Sequence, residues 1–195
     1  MQHLYLLALL PPPPLAEEIH QIRLECSKKF DVYKALRPPV HITLYQPFLL
    51  EEVFEKQLFR VLEQSTAGLS SFTQKLENFG CFSNKVVFIN ALKTAELSNL
   101  HKAITSIFGK KNVDKSPDKQ INKAFSPHIT IAYRDVQPDV FTKIWQEYNN
   151  QTFKRNYEVD HFSILKHDKV KWSPIKDFSL RSSDDQPPLF YTIIR

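Results

Sequence analysis

The sequence predicts a chain of interleaved helices and strands, α+β or α/β, arranged as two similar lobes. Three observations predict it. The tripeptide His-Ile-Thr occurs at residues 41–43 and again at 128–130, where composition alone would give roughly 0.02 copies. The same order of helix-like and strand-like segments surrounds each copy. The chain has 195 residues, 42% hydrophobic and 24% charged, which suits one medium domain or two small interleaved lobes and excludes extended disorder or a fibrous protein.

The elements follow in order. Residues 15 to 35 carry Leu15, Ile19, Ile22, Cys26 and Tyr33 at helical spacing, with Glu17 and Glu18 placed for a helix start. A strand is predicted around 40 to 46. A helix from 51 to 64 would bury Phe54, Leu58, Val61 and Leu62, and strand-like runs follow at 72 to 82 and 85 to 91. The second half repeats the order. A helix from 95 to 108 stops at Gly109, a strand lies around 127 to 134, and a helix from 138 to 149 bears Phe141, Ile144, Trp145 and Tyr148. Runs at 153 to 166 and 170 to 180 complete it. An offset of 87 residues carries His41 to His128 and Glu51 to Pro138. The expected organisation is therefore a single bilobal domain over 1–181, with pseudo-repeats at about 15–91 and 95–180 and a tail over 182–195. Two lobes leave a cleft between them, where ligands usually bind.

Two segments fall outside the repeat. Lys110, Lys111, Lys115, Lys119 and Lys123 with Pro117 read as a basic loop, either solvated or touching an RNA backbone. Residues 182 to 187 read as a linker, and Leu189 to Ile194 as an apolar, β-prone end.

Composition excludes several classes. No apolar run approaches the roughly 18 residues of a membrane span. Leu4 to Leu10 stops at Pro11 to Pro14 and lacks both a cationic leader and a small-residue cleavage site. The expectation is a mature N-terminus and a cytoplasmic protein. Two cysteines, Cys26 and Cys81, build neither a disulfide scaffold nor a C-x-x-C site. Three glycines, none in a phosphate-cradling pattern, exclude a Gly-rich nucleotide loop. The net charge of +5 permits a phosphate-bearing partner.

Side chains on a strand alternate between faces. Val40, Ile42 and Leu44 then point one way, and His41, Thr43 and Tyr45 the other. In the second copy Ile129, Ile131 and Tyr133 oppose His128, Thr130, Ala132 and Arg134. Two such polar faces on one cleft would surround a bound group with two imidazoles and two hydroxyls. Phosphodiester chemistry uses that set: a neutral His accepts a proton from the attacking oxygen, and a protonated His gives one to the leaving oxygen. Hydroxyls can donate to the non-bridging oxygens, where negative charge sits in the transition state. Tyr45 could stack a base or line a wall, and Arg134 could hold a second phosphate or pair with Asp135. Phe48 and Phe82 read as core. His3, His20, His101, His161 and His167 have no matching partners and read as surface or structural. A zinc site on His41 and His128 lacks further ligands at metal spacing, and the H-x-H-x-H run of the histidine-triad hydrolases is absent.

The paired His-x-Thr-hydrophobic motifs in a duplicated chain resemble the two-histidine (2H) phosphoesterase superfamily, in its bacterial 2′-5′ RNA ligase-like branch. The resemblance covers roughly residues 3 to 180. It implies an α+β bilobal fold, with two antiparallel sheets facing a central cleft and helices outside. It also implies metal- and cofactor-independent cleavage of 2′,3′-cyclic phosphate ends, or reversible 2′-5′ joining of RNA ends. By motif match His41, Thr43, His128 and Thr130 take the catalytic positions, with Tyr45 and Arg134 as substrate-binding candidates. In the second motif the arginine stands one residue later than in the H-x-T-L-A-R pattern of that branch. Three functions follow: a phosphodiesterase on RNA ends or small cyclic nucleotides, a 2′-5′ RNA ligase using the same site, or a non-catalytic RNA-binding module. The expected partner is an RNA end or small nucleotide, with no membrane, and the expected state is a monomer.

Overall fold

The N-terminal apolar run is a strand. The computed structural model describes residues 1–111 and 124–182, and in it β1 (Gln2–Leu9) lies between two partners, buried from Tyr5 to Leu9. A strand covered on both faces shows continuous hydrophobicity rather than alternation, so period-two reading gave this segment no place in a sheet. The four prolines after it start a helix. Pro12 is extended, and prolines stand at the first turn of α1 (Pro13–Phe30), where their missing N–H groups have no intrahelical partner to lose. The helix ends at Phe30 and not near 35, because Asp31 takes the left-handed conformation (φ 57°) and the Val32 N–H returns to the Ser27 carbonyl.

A 3-10 turn (Lys34–Leu36) leads to β2 (Ile42–Glu51), and a second 3-10 turn (Glu52–Phe54) to α2 (Glu55–Thr66). Then come β3 (Phe72–Phe82), β4 (Val86–Ala91), α3 (Ala95–Lys111), β5 (His128–Ala132) and α4 (Pro138–Tyr148). The helix α3 runs through Gly109 rather than stopping there. The predicted run 153 to 166 is two strands, β6 (Lys154–Val159) and β7 (His161–His167), followed by β8 (Trp172–Ser179). The chain changes sheet at Asp160, whose carbonyl accepts from Leu180 N–H. Lys115, Lys119, Lys123 and the expected strand at 189–194 lie outside the described residues.

The fold is α+β, with two antiparallel four-stranded sheets ordered β2-β1-β7-β8 and β5-β4-β3-β6. Each sheet draws strands from both halves of the sequence, so the lobes are not the two pseudo-repeats. The structural repeat is strand–helix–strand–helix: β1–α1–β2–α2 and β4–α3–β5–α4. In both units the His-Ile-Thr strand closes against the strand before it and forms one edge of its sheet. The two edge strands approach one another. One continuous core joins the sheets, holding Leu7, Ile42 and Leu44 of the first and Leu76, Ile89 and Ile131 of the second, with Ile19, Ile104 and Ile144 from the helices. Each such side chain contributes about 1.5–3 kcal/mol by leaving water. Both cysteines are free, and among the described residues no helix is long and apolar enough to cross a membrane.

Candidate active site

The two histidines are held in the same way. His41 Nδ1 lies 2.8 Å from the Pro39 carbonyl, and His128 Nδ1 lies 2.8 Å from the Ser126 carbonyl. A carbonyl only accepts, so Nδ1 carries the proton in each ring and Nε2 is left to act as base or, once protonated, as acid. Both partners sit two residues upstream in proline-bearing segments, Pro38-Pro39 and Ser126-Pro127, whose backbones are biased towards the extended form.

His41, Thr43, Thr130 and Arg134 share the lining of one cleft of about 400 Å³. His128 is not among the residues lining it; its ring stands edge-on to Phe82 at 5.0 Å and tilted against Phe88 at 4.9 Å. Phe82, read from sequence as core, is thus part of the support for that imidazole, whereas Phe48 is buried as expected. The Phe88 ring in turn lies across Gly80, where a Cβ would come within 2.6 Å of it. Gly80→Ala must therefore displace Phe88 from under His128. The expected cost is about 1–3 kcal/mol of stability, as for other overpacked sites, read from denaturant melts, with a shift of the His128 ring resonances.

Burial sets the electrostatics. It pulls the His41 pKa down to about 4, against the opposing hydrogen bond to Pro39 and with help from Arg23 and His128. Burial also lowers His128, opposed by the Ser126 carbonyl. Both rings are consequently neutral at pH 7 in the free protein. Protonating one makes protonation of the other harder, so the two titrate as a coupled pair.

Tyr45 does not reach the cleft. The register of β2 against β1 slips between Thr43 and Tyr45 and again before Phe48. These bulges break the alternation that placed Tyr45 beside His41 and Thr43. Its ring stacks on Phe108 at 3.8 Å and packs against the core. Arg134 does reach the cleft, by an unusual route. Strand β5 ends at Ala132, and Arg134 sits at the centre of a three-residue turn with φ 71°, closed by Asp135 N–H on the Tyr133 carbonyl. Such turns are rare and strained. Here the turn brings Tyr133, expected on the apolar face, to the cleft as well, with the Arg134 guanidinium 5.0 Å from its ring. Asp135 does not pair with Arg134. Its Oδ2 accepts from the Tyr33 and Lys34 N–H groups, both at 2.8 Å, tying the turn to the segment before β2.

Other lining residues were not expected, Arg23, His167 and Trp172 among them. Arg23 is 2% exposed on α1 and donates from Nη2 to the Pro38 carbonyl at 2.9 Å. Its signal was present: Arg23 stands four residues after Ile19, on the buried stripe of the helix. His167, expected at the surface, and Trp172 meet edge to face at 5.0 Å where β7 turns into β8, and both line the cleft. Elsewhere His3 contacts Glu52, His101 stacks on Phe125 and His161 contacts Asp160. Among the described residues no group of three or more His, Cys, Asp or Glu converges.

The family model of the 2′-5′ RNA ligase superfamily matches residues 11–171. The chain belongs to that superfamily. Other similar sequences include a candidate phosphoesterase of Bacillus licheniformis, 27% identical over 168 residues, covering 85% of this chain and 94% of that protein. A Geobacillus sp. candidate phosphoesterase is 26% identical, covering 83% and 86%. Among solved structures, E. coli LigT complexed with 3′-AMP superposes with a TM-score of 0.62 at 20% identity, covering 92% of this chain and 98% of that one. A Thermus thermophilus protein gives 0.60 at 20%, covering 94% and 100%. At these identities the structural likeness speaks for the fold. The 2′-5′ RNA ligase superfamily and the two-histidine phosphoesterases named from the motifs are the same grouping, and the bilobal expectation holds for this member.

Proposed function

We propose that this cleft is the site of a metal-independent phosphodiesterase acting on 2′,3′-cyclic phosphate ends of RNA or on small cyclic nucleotides. The observation that carries the reading is the duplicated imidazole: two His rings, each fixed through Nδ1 to a carbonyl two residues upstream, each followed by a Thr that lines the cleft. Water attacks phosphorus and a P–O bond forms while one ring P–O bond breaks. The neutral imidazole takes the water proton, the imidazolium protonates the departing ribose oxygen, and a phosphomonoester results. Thr43 and Thr130 donate to the non-bridging oxygens. A 5′-hydroxyl in place of water would give 2′-5′ joining by the same proton transfers. LigT's complex with 3′-AMP supports a nucleotide ligand. His167 and Trp172 offer the faces on which a base could stack.

Turnover of a 2′,3′-cyclic nucleotide in EDTA tests the reading. The expected result is an undiminished rate, and a rate abolished by EDTA and restored by zinc would overturn it. The pH profile is a second test. Activity of the free enzyme needs one ring neutral and one charged. kcat/KM should therefore rise as pH climbs past the lower apparent pKa, near 4, and fall past the upper one, below 6.5. The profile of kcat should lie at higher pH, since bound phosphate favours the imidazolium. A kcat/KM optimum above pH 7 would contradict the assigned burial of the pair.

A further inference from the structure

We infer that the cleft carries a second anion subsite, formed by Arg23, Lys34, Arg37 and Arg134, that takes a phosphate other than the scissile one. This deepens the phosphodiesterase reading and rests on it: the favoured substrate is a nucleotide with a further phosphate on its 5′ side, as at the end of an RNA chain.

Four cations line the cleft and no Asp or Glu does. Among the described residues none of the four forms an ion pair. Arg23 is the decisive one. A buried guanidinium without a carboxylate is costly unless its donors are satisfied. Arg23 spends one donor on the Pro38 carbonyl, while its Nε is buried with no partner. Holding Pro38 in place would need only a neutral donor, whereas a guanidinium lining the cleft with no carboxylate beside it suits an oxyanion. The scissile group is served already by two hydroxyls and two imidazoles, and a phosphodiester carries a single negative charge. The remaining cations therefore exceed what that group requires.

The subsite is also pre-organised. Lys34 and Arg37 are exposed on the segment between α1 and β2. That segment is pinned at one end by Asp135, through the Tyr33 and Lys34 N–H groups, and at the other by Arg23 through Pro38. Arg134 comes to the same cleft from the strained turn that Asp135 closes. The backbone carrying these cations is thus fixed before binding, and only the exposed side chains remain to be ordered.

The test compares adenosine 3′-monophosphate with adenosine 3′,5′-bisphosphate by titration calorimetry on the full chain, with no turnover required. The wild type should bind the bisphosphate at least about tenfold more tightly, a difference of about 1.4 kcal/mol, and raised salt should narrow the gap. The double variant Lys34→Gln/Arg37→Gln changes only exposed side chains and should bring the ratio towards one. Arg23→Met should do the same wherever it folds. Lys176→Gln, which removes one positive charge outside the cleft lining, beside Glu63, should leave the ratio as it is. Equal affinity of the wild type for both nucleotides, or an unchanged ratio in Lys34→Gln/Arg37→Gln, would overturn the subsite while leaving the phosphodiesterase reading standing. If neither nucleotide binds the wild type, both fall together.

Discussion

Replacing either His41 or His128 with Ala is expected to lower kcat on a 2′,3′-cyclic nucleotide by about 10²- to 10⁴-fold, the range for loss of a positioned acid or base. The effect should be similar for both, because each ring is fixed by the same Nδ1 bond and each presents Nε2. The double variant should be little slower than the slower single one, since a proton donor without its acceptor completes no cycle. Folding should survive. Both rings are only partly buried, and each substitution frees one carbonyl, so melting temperature should move by no more than a few degrees. Rates are best taken from single turnovers, which separate chemistry from release. Near-normal single-turnover rates in one variant would remove that residue from proton transfer and leave its partner acting alone.

The His-Thr pairs proposed as catalytic were legible because each is local. A repeated tripeptide and strand alternation suffice to put His41 with Thr43 and His128 with Thr130, and Thr43 and Thr130, from different sheets, line one cleft. Where the chain departs from regular geometry, alternation fails. The bulges of β2 turn Tyr45 towards Phe108. The left-handed Asp31 ends α1 a turn early, and the positive φ of Arg134 lets that side chain reach the cleft from beyond the strand. Asp is among the few non-glycine residues that take the left-handed conformation with any ease, whereas an arginine such as Arg134 carries no mark of it. Strand β1 was hidden for the opposite reason: it is buried on both faces and so lacks a pattern. The lobes were misdrawn because strand pairing is non-local. Nothing between residues 15 and 91 indicates that β3 and β4 join β5 and β6.

The cationic wall was partly legible and overlooked. Arg23 is the one charged residue on the buried face of α1, and a buried charge in that position asks for a partner that the helix does not contain. Lys34 and Arg37 carry no signal at all, since exposed basic residues beside a helix end are ordinary. Only the ties from Asp135 and Arg23 make that segment part of the cleft, and they join residues about 100 positions apart in one case and 15 in the other. Cleft electrostatics thus depend on tertiary contacts, while the imidazole pair depends on the strands that carry it.

Thr43→Val and Thr130→Val are each expected to lower kcat by about 10²- to 10³-fold, the loss seen when one oxyanion donor is removed. Valine keeps the shape and the β-branched stiffness that suit a strand, so the substitution deletes a hydroxyl and little else. Thr43 pairs across to Ala8 on β1, and Thr130 to Phe88 on β4. Those ladder bonds are made by backbone and survive the change. Both threonines are half-buried on the cleft rather than in the core, and the melting temperature should accordingly stay close to wild type. The loss should fall on kcat more than on KM, because the non-bridging oxygens gain charge in the transition state and the hydroxyls bind that charge more strongly than the ground state. Thr→Ser restores the donor and should recover most of the rate, which a purely structural methyl contact would not allow. If the valine variants melt early while each folded molecule keeps its rate, the threonines belong to the scaffold and have no part in holding the phosphoryl oxygens.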